Sequence, residues 1–410
     1  MTVSIGVNHR VAALPPSGIR RFFDLVTEMR GVISLGIGEP DFVTPWHIRE
    51  ACFYSLEKGF TMYTSNFGLL ELREEIARDL EHLYGLSYRP KGQVLVTVGV
   101  SEAVDLALRV LLEPGDEVIV PEPCYVAYGP CAYLAGGEPV QVPTTAANGF
   151  RLDAAELEAK VTPRTKVLIL SYPNNPTGAI MDRRSLLSVA EVVSRHNLVV
   201  LSDEVYAHLT YSGTHTCFAA LPGMQERTVL LNGFSKAYAM TGWRLGYAVG
   251  PEEIIAAMTK VHQYTMLCAP ITAQKAAVEA LRNGETERRR MVAEYDRRRR
   301  VIVKGLNALG LDCFEPQGAF YAFPSVASTG LDGLAFAEEL LREEKVAVVP
   351  GEAFGPSGRQ HVRCSYASSL ENIKEALARM ERFVKKRRTA MGAGHISATG
   401  TAPMPSGSAG

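Results

Sequence analysis

A lysine in a Gly/Ser-bearing turn directly after an apolar run can do more than carry a charge. In Asn232-Gly-Phe-Ser-Lys-Ala-Tyr-Ala-Met-Thr-Gly-Trp-Arg-Leu-Gly246, Lys236 follows Thr228-Val-Leu-Leu231, which reads as a buried strand. Arg244 comes next, between Gly242 and Gly246. A lysine held near a sheet edge loses solvation, lowers its pKa and attacks a carbonyl to form a Schiff base. Ser235 and Arg244 beside it suit a phosphate. A Schiff-base lysine with a phosphate clamp points to pyridoxal 5'-phosphate, an aldehyde cofactor that binds enzymes through lysine.

Such a site also needs a carboxylate at the ring nitrogen, a donor at the ring oxygen and a wall for the ring. Asp203, in Leu201-Ser-Asp-Glu-Val-Tyr206, follows an apolar run and could keep the ring nitrogen protonated, making the ring an electron sink. An aspartate there also suits a helix N-cap. Tyr206 could donate to the ring oxygen, or only pack. Asn175, in the Pro/Asn/Gly-dense turn Ser171-Tyr-Pro-Asn-Asn-Pro-Thr-Gly178, offers an amide donor to the same oxygen, or serves the turn alone. Backbone N–H groups of Ser101 and Glu102, with Ser235 and Arg244, would cradle the phosphate at a helix start. Tyr125, in Pro121-Glu-Pro-Cys-Tyr125, could stack on the ring. Arg363 is a lone arginine in the strand-like His361-Val-Arg-Cys-Ser365, where a clamp on a substrate carboxylate is the sharper use. A dinucleotide fingerprint is absent: Val98-Gly-Val-Ser101 is not G-x-G-x-x-G, and Gly36-Ile-Gly38 runs into Asp41 where a third glycine belongs.

The elements that must position these residues alternate. Val94–Val98, Glu117–Val120, Val167–Leu170, Leu198–Leu201, Thr228–Leu231 and Gly246–Val249 read as strands, and Ser101–Leu112 as a helix with Ser101 at its N-cap. Near-continuous apolar strands separated by helices predict an α/β fold with a mostly parallel sheet covered on both faces, its ligand site beyond the carboxyl ends of the strands. The arginine runs 288–290 and 297–300 are interleaved with Glu285, Glu287, Glu294 and Asp296, as on a solvated helix face. Expected units are an N-terminal segment at 1–45 that contributes to the small domain and the active site, and a large cofactor-binding domain at 46–285. A smaller α+β domain follows at 286–388, then a disordered tail at 389–410 rich in Gly, Ala, Ser, Thr and Pro.

The 410 residues are 47% hydrophobic and 21% charged, with a formal net charge of -1, an ordinary globular composition without a general electrostatic pull toward nucleic acid or anionic membrane. No run is long enough to span a bilayer, and Met1–Arg10 lacks a hydrophobic signal core, so a cytoplasmic protein is expected. Seven cysteines without a C-x-x-C pair and nine histidines without H-E-x-x-H argue against disulfide, zinc or other metal sites.

Taken together the motifs resemble those of class I/II aminotransferases of the fold-type I pyridoxal-phosphate family, over roughly residues 15 to 388. They are Gly36-Ile-Gly-Glu-Pro-Asp-Phe42, Tyr63-Thr with Gly68 and Leu72-Arg73, Pro173-Asn-Asn-Pro-Thr-Gly178, Ser202-Asp-Glu-Val-Tyr206, Ser235-Lys236, Gly242-Trp-Arg-Leu-Gly246 and Gly318-Ala-Phe-Tyr321. The resemblance implies that Lys236 forms the internal aldimine and shuttles the proton. It pairs Asp203 with the pyridinium nitrogen and Tyr206 and Asn175 with the ring oxygen. Ser101, Glu102, Ser235 and Arg244 would hold the phosphate, and Tyr63 would reach the phosphate of the other subunit of a homodimer with shared active sites. Gly38 and Arg363 would bind the substrate carboxylate, while Tyr125 takes the stacking position. The implied reaction is a ping-pong transfer of an amino group between an L-amino acid and a 2-oxo acid. Aromatic, aspartate, alanine and N-acetyl-diaminopimelate donors are all compatible. Ser101-Glu-Ala103 lacks the lysine that some bacterial aspartate aminotransferases carry there, whereas Tyr63–Gly68 and Leu14–Ile19 look more like the aromatic and N-acetyl-diaminopimelate enzymes. A C–S β-lyase uses the same constellation. A cofactor-binding transcriptional regulator would need an added DNA-binding domain, for which there is no room before Leu14.

Overall fold

Short runs of Val, Ile and Leu bounded by Gly, Pro and Asp build the strands. The protein is seen in a computed structural model that describes residues 6–15 and 29–397, side chains being described to 389. In chain order the strands are β1 (Ile33–Ser34), β2 (Val94–Thr97), β3 (Glu117–Glu122), β4 (Glu138–Pro143), β5 (Thr165–Ser171), β6 (Val199–Asp203), β7 (Thr228–Gly233), β8 (Gly246–Val249), β9 (Tyr321–Ala322), β10 (Val346–Ala347), β11 (Val349–Pro350) and β12 (Val362–Ser365).

Seven of them form one sheet in the order β2-β8-β7-β6-β5-β3-β4. β3 to β7 pair in parallel, and β8 runs antiparallel to both of its neighbours. β2, β3, β7 and β8 are buried end to end, which explains the apolar runs at their centres. One face packs Leu95, Val118, Leu201 and Leu231 against Ala103, Leu106 and Ala107 of the helix Gly99–Leu111. The other packs Leu168, Leu170 and Val200 against Leu186, Val189 and Val193 of the helix Arg183–Arg195. This is the α/β arrangement expected. The expectation lacked β4, an edge strand carrying Pro139 and Pro143 and mostly open to solvent, where the apolar signal is weak. It also began the first helix too late. That helix starts at Gly99, so Ser101 lies within its first turn and caps nothing.

The second apolar cluster gathers Phe320, Phe336, Leu340, Tyr366 and Phe383 around the antiparallel sheet β11-β12-β9 and the parallel pair β1–β10. β1 comes from the N-terminal part and β10 from the C-terminal part, so residues just after Ser34 are carried alongside β12. The charged helix Glu285–Ala308 has the expected interleaved pairs, such as Arg289–Glu285 and Arg297–Glu294. Two of its arginines depart from that picture and are buried: Arg299 meets Asp296 and Glu315, and Arg298 reaches Asp41 at 2.7 Å, tying down the N-terminal Gly36–Phe42 motif. The last helix continues to Ser397, into the stretch expected to be a disordered tail. Residues 398–410, and 16–19 of the Leu14–Ile19 motif, lie outside the described residues. No helix among the described residues is long and apolar enough to cross a membrane.

Leu201 sits at the centre of the sheet with no exposed surface. Leu201→Ala should cost about 2–5 kcal/mol through lost burial and a cavity. Denaturant unfolding measures it, and a loss under about 1 kcal/mol would mean the centre of the sheet is looser than its packing indicates.

Candidate active site

The reversal of β8 decides where the chemistry collects. β2, β6 and β7 end on one edge of the sheet, and because β8 runs the other way, the residue two places before its start, Arg244, lies on that edge too. A cavity of about 380 Å³ opens there, lined by Gly38, Ser101, Tyr125, Asn175, Asp203, Tyr206, Ser235, Lys236, Arg244 and Arg363.

Lys236 lies in the short helix Phe234–Ala237 that follows β7, and its Nζ donates to the Gly38 carbonyl at 2.7 Å. Burial, with help from the Arg363 and Arg244 charges and against Glu39 and Asp203, lowers its pKa to about 8. Asp203 is the last residue of β6. Its Oδ2 accepts the Tyr128 hydroxyl at 2.7 Å and its Oδ1 the Val205 N–H at 3.2 Å. The second bond is the local turn bond that an aspartate makes after a strand; no helix follows β6 directly, so the N-cap use is not realised, and the one side chain serves the turn and the cavity together. Burial raises Asp203 to about 6 in spite of those two bonds and of Lys236, with Glu204 adding to the rise.

Arg363, on β12, is almost fully buried. Its Nη1 donates to Asn175 Oδ1 at 2.9 Å and its Nη2 to the Gly36 carbonyl at 2.7 Å, while its Nε has no partner. The guanidinium lies between the rings of Tyr321 and Phe354, at 4.5 and 4.8 Å from their centroids. Among the described residues no carboxylate pairs with it. A buried cation held only by neutral acceptors lacks compensation and favours an anionic ligand.

The cradle is built by close approach. Gly99 has φ +77°, and a Cβ on it would stand 2.7 Å from Arg244 Nη2, so the guanidinium lies over the start of the helix Gly99–Leu111. A Cβ on Gly246 would stand 2.7 Å from Val100 N, so only glycine lets β8 come this near. Arg244 itself is left-handed at φ +53°, an uncommon state for a side-chain-bearing residue that aims it back across the turn.

Glu102 departs from expectation. With the helix beginning at Gly99, the free amides are those of Gly99, Val100 and Ser101, and the Glu102 amide falls inside the helical ladder. Its carboxylate also turns away, accepting the Val98 N–H at 2.5 Å and meeting His262 Nδ1 at 2.6 Å. Tyr63 does not line the cavity of its own chain and is 79% exposed. Among the lining residues that were not anticipated as site residues, Val100, Val104, Ala127, Cys131, Ser171 and Val205 give the cavity its wall, and Tyr128 and Tyr321 bring hydroxyls to it. Tyr128, three residues after Tyr125, begins the helix Tyr128–Leu134 and packs edge-on against the Tyr125 ring at 5.5 Å. Tyr321 closed the Gly318–Tyr321 motif without a role. Its hydroxyl is 2.7 Å from that of Tyr206, and a Cβ on Gly38 would meet it at 2.8 Å.

A buried lysine of lowered pKa, an amide-rich cradle that a single Cβ would fill and a buried arginine without an anion together fit pyridoxal phosphate with an amino acid. Two pH-linked consequences follow from the geometry. Capture of a small aldehyde by Lys236 should rise with pH and level off near 8, whereas an ordinary lysine would keep gaining up to about 10.4. Tyr128→Phe removes a bond that favours ionised Asp203, so its titration, followed by carboxylate NMR, should move above 6; a fall would contradict the bond.

The family model of aminotransferase class I and II matches residues 30–380. The chain is 55% identical over 376 residues to YugH of Bacillus subtilis (strain 168), covering 92% of this chain and 97% of that one. It is 45% identical to an aspartate aminotransferase of Pyrococcus abyssi, covering 94% and 100%. The solved aromatic aminotransferase of Pyrococcus horikoshii OT3 superimposes with a TM-score of 0.86 at 46% identity, covering 90% and 99%.

Proposed function

Because the chain belongs to the class I and II aminotransferase family and is an aminotransferase, we propose that it binds pyridoxal 5'-phosphate in this cavity and moves amino groups between an L-amino acid and a 2-oxo acid. When bound, the cofactor supplies an aldehyde and an electron sink. Lys236 Nζ takes the proton from the substrate α-carbon, and its lowered pKa leaves it neutral enough to do so at moderately alkaline pH. Asp203, negative above about pH 6, holds positive charge at the ring nitrogen. Tyr206 and Asn175 hold the ring oxygen. Ser101, Ser235 and Arg244, with the amides of Gly99 and Val100, hold the phosphate, and Tyr125 covers the ring. Arg363 clamps the substrate α-carboxylate, with Gly38 beside it; the observation that carries this reading is its burial without a carboxylate partner in the cavity that Lys236 also lines.

The donor we favour has an apolar or aromatic side chain. Among the described residues lining the cavity the cations are Lys236, Arg244 and Arg363, and each already has a task, which leaves none in this chain for the second carboxylate of aspartate. An alanine donor stays within the same reading, whereas N-acetyl-diaminopimelate carries a second carboxylate and is disfavoured on the same ground as aspartate. The catalysis of C–S β-elimination is not favoured, since the relatives are aminotransferases. We further place the protein in the cytoplasm, where its seven free cysteines would stay reduced. We take it to be a homodimer, in which the exposed Phe53, Tyr54, Met62, Tyr63, Tyr264 and Met266 would be covered and Tyr63 would reach the partner's phosphate.

Lys236→Ala should lose the yellow absorbance of the lysine-bound cofactor and nearly all turnover; a fully active variant would refute the assignment. Arg363→Ala should raise KM for every amino donor by about a hundredfold or more, as expected for a buried charged contact, and an unchanged KM would remove it from the site. A donor panel against 2-oxoglutarate and pyruvate chooses the substrate. Faster turnover of phenylalanine or tyrosine than of aspartate is the expected outcome, and the reverse would overturn the apolar preference.

A further inference from the structure

Asp203 ends β6 and Glu204 follows it, and Glu204 turns to the side of Ser202, opposite Asp203. Asp203 faces the cavity. Glu204 faces away, does not line it, and is 2% exposed. Its carboxylate is nevertheless fully engaged. Oε2 lies 2.6 Å from His215 Nε2, and Oε1 accepts the Ser202 hydroxyl at 2.9 Å and the Phe218 N–H at 3.1 Å. The Glu204 N–H donates to the Leu231 carbonyl at 2.8 Å, which ties this point to β7, the strand that leads to Lys236. His215 is nearly buried in turn, with Tyr84 edge-on at 6.0 Å between centroids. The groups facing this pair are Tyr84 and Tyr88 from the helix Leu70–Tyr84 and the loop after it, Cys217 from the His215 loop, and His208 and Asp203 from the β6 end. Tyr247 of β8 faces the pair too, and beside burial the Glu204 charge pushes the three phenols, the Cys217 thiol and Asp203 upward, while His215 helps burial to lower His208.

A buried carboxylate with several donors is costly to move, and the residue before it moves with it. We propose that Glu204 and His215 form a positioning pair for Asp203: anchored on the far face of β6, they hold the Asp203 carboxylate in the orientation that meets the cofactor's ring nitrogen. The proposal rests on the pyridoxal-phosphate reading of the cavity. His215 has no part in the chemistry itself, since it touches neither the cavity nor Lys236. The imidazole acts through Glu204, and Glu204 acts through one peptide unit.

The test is a double-mutant cycle read as the dissociation constant of pyridoxal phosphate from full-length apoprotein, alongside the absorbance maximum of the lysine-bound cofactor. His215→Phe keeps the packing on Tyr84 and removes the bond. It should weaken cofactor binding by about ten- to a hundredfold, the worth of a hydrogen bond to a charged group, and shift the absorbance as Asp203→Asn does. His215→Gln, which restores a donor, should recover most of the loss. On an Asp203→Asn background, His215→Phe should add less than about twofold, because its effect passes through the missing carboxylate. If His215→Phe does not fold, Glu204→Gln, which keeps size and an acceptor, completes the same cycle. A wild-type chain that binds no pyridoxal phosphate overturns the cofactor reading and the pair with it. A wild type that binds it, with the full loss repeated on Asp203→Asn, overturns the pair alone.

Discussion

Three cations face one buried carboxylate across a cavity at the edge of a sheet. Lys236, Arg244 and Arg363 lie on its walls, Asp203 opposes them, and Arg363 has no acidic partner among the described residues. Arg363 is buried, where such an imbalance is expensive unless an anion enters, whereas Arg244 is exposed at the mouth of the site. The cavity therefore favours a ligand that brings negative charge at two places, a phosphate at the Arg244 end and a carboxylate at the Arg363 end. The same crowding of positive charge, together with burial, keeps Lys236 below the usual lysine range. Reactivity at the lysine and affinity for anions are thus two results of one electrostatic arrangement.

That arrangement depends on strand direction. β6 and β7 deliver Asp203 and Lys236 at their carboxyl ends, as a parallel sheet does. Arg244 would be at the opposite edge of the sheet if β8 were parallel as well. Its reversal folds the chain back within a few residues, and the glycines at 99 and 246 allow the returning backbone to touch the helix whose free amides complete the cradle. Arg363 arrives by another route. The pairing of β1 with β10 draws the N-terminal segment over the C-terminal sheet, and Gly36 and Gly38 then supply carbonyls to Arg363 and Lys236.

Much of this was legible before the structure. Six of the seven strands of the large sheet were visible as apolar runs, and Ser101, Tyr125, Asn175, Asp203 and Lys236 were anticipated in the cavity because each sits beside a turn signal just after a strand. What escaped has physical reasons. β4 is an edge strand with prolines and little burial. The true start of the helix at Gly99 depends on a left-handed glycine, which leaves no mark in periodicity and so misplaced the Glu102 amide. Tyr128 and Tyr321 act through hydroxyl contacts to residues far away in the chain, and nothing local to them signals a partner. The two buried arginines of the long helix look like their exposed neighbours in sequence and differ only in what packs against them.

The sequence alone determined which chemistry is present: a lysine in a turn, an aspartate at a strand end and a lone arginine in a strand are matters of residue type and local spacing. Tertiary structure decided which of these groups share a cavity, which amides are free, and that Glu204 and Glu102 turn away while their neighbours face inward. The reason is the range of the forces. Turn and strand preferences act over a few residues and are written locally, whereas the pKa of Lys236 and the missing counter-charge of Arg363 arise from groups brought together across the whole chain.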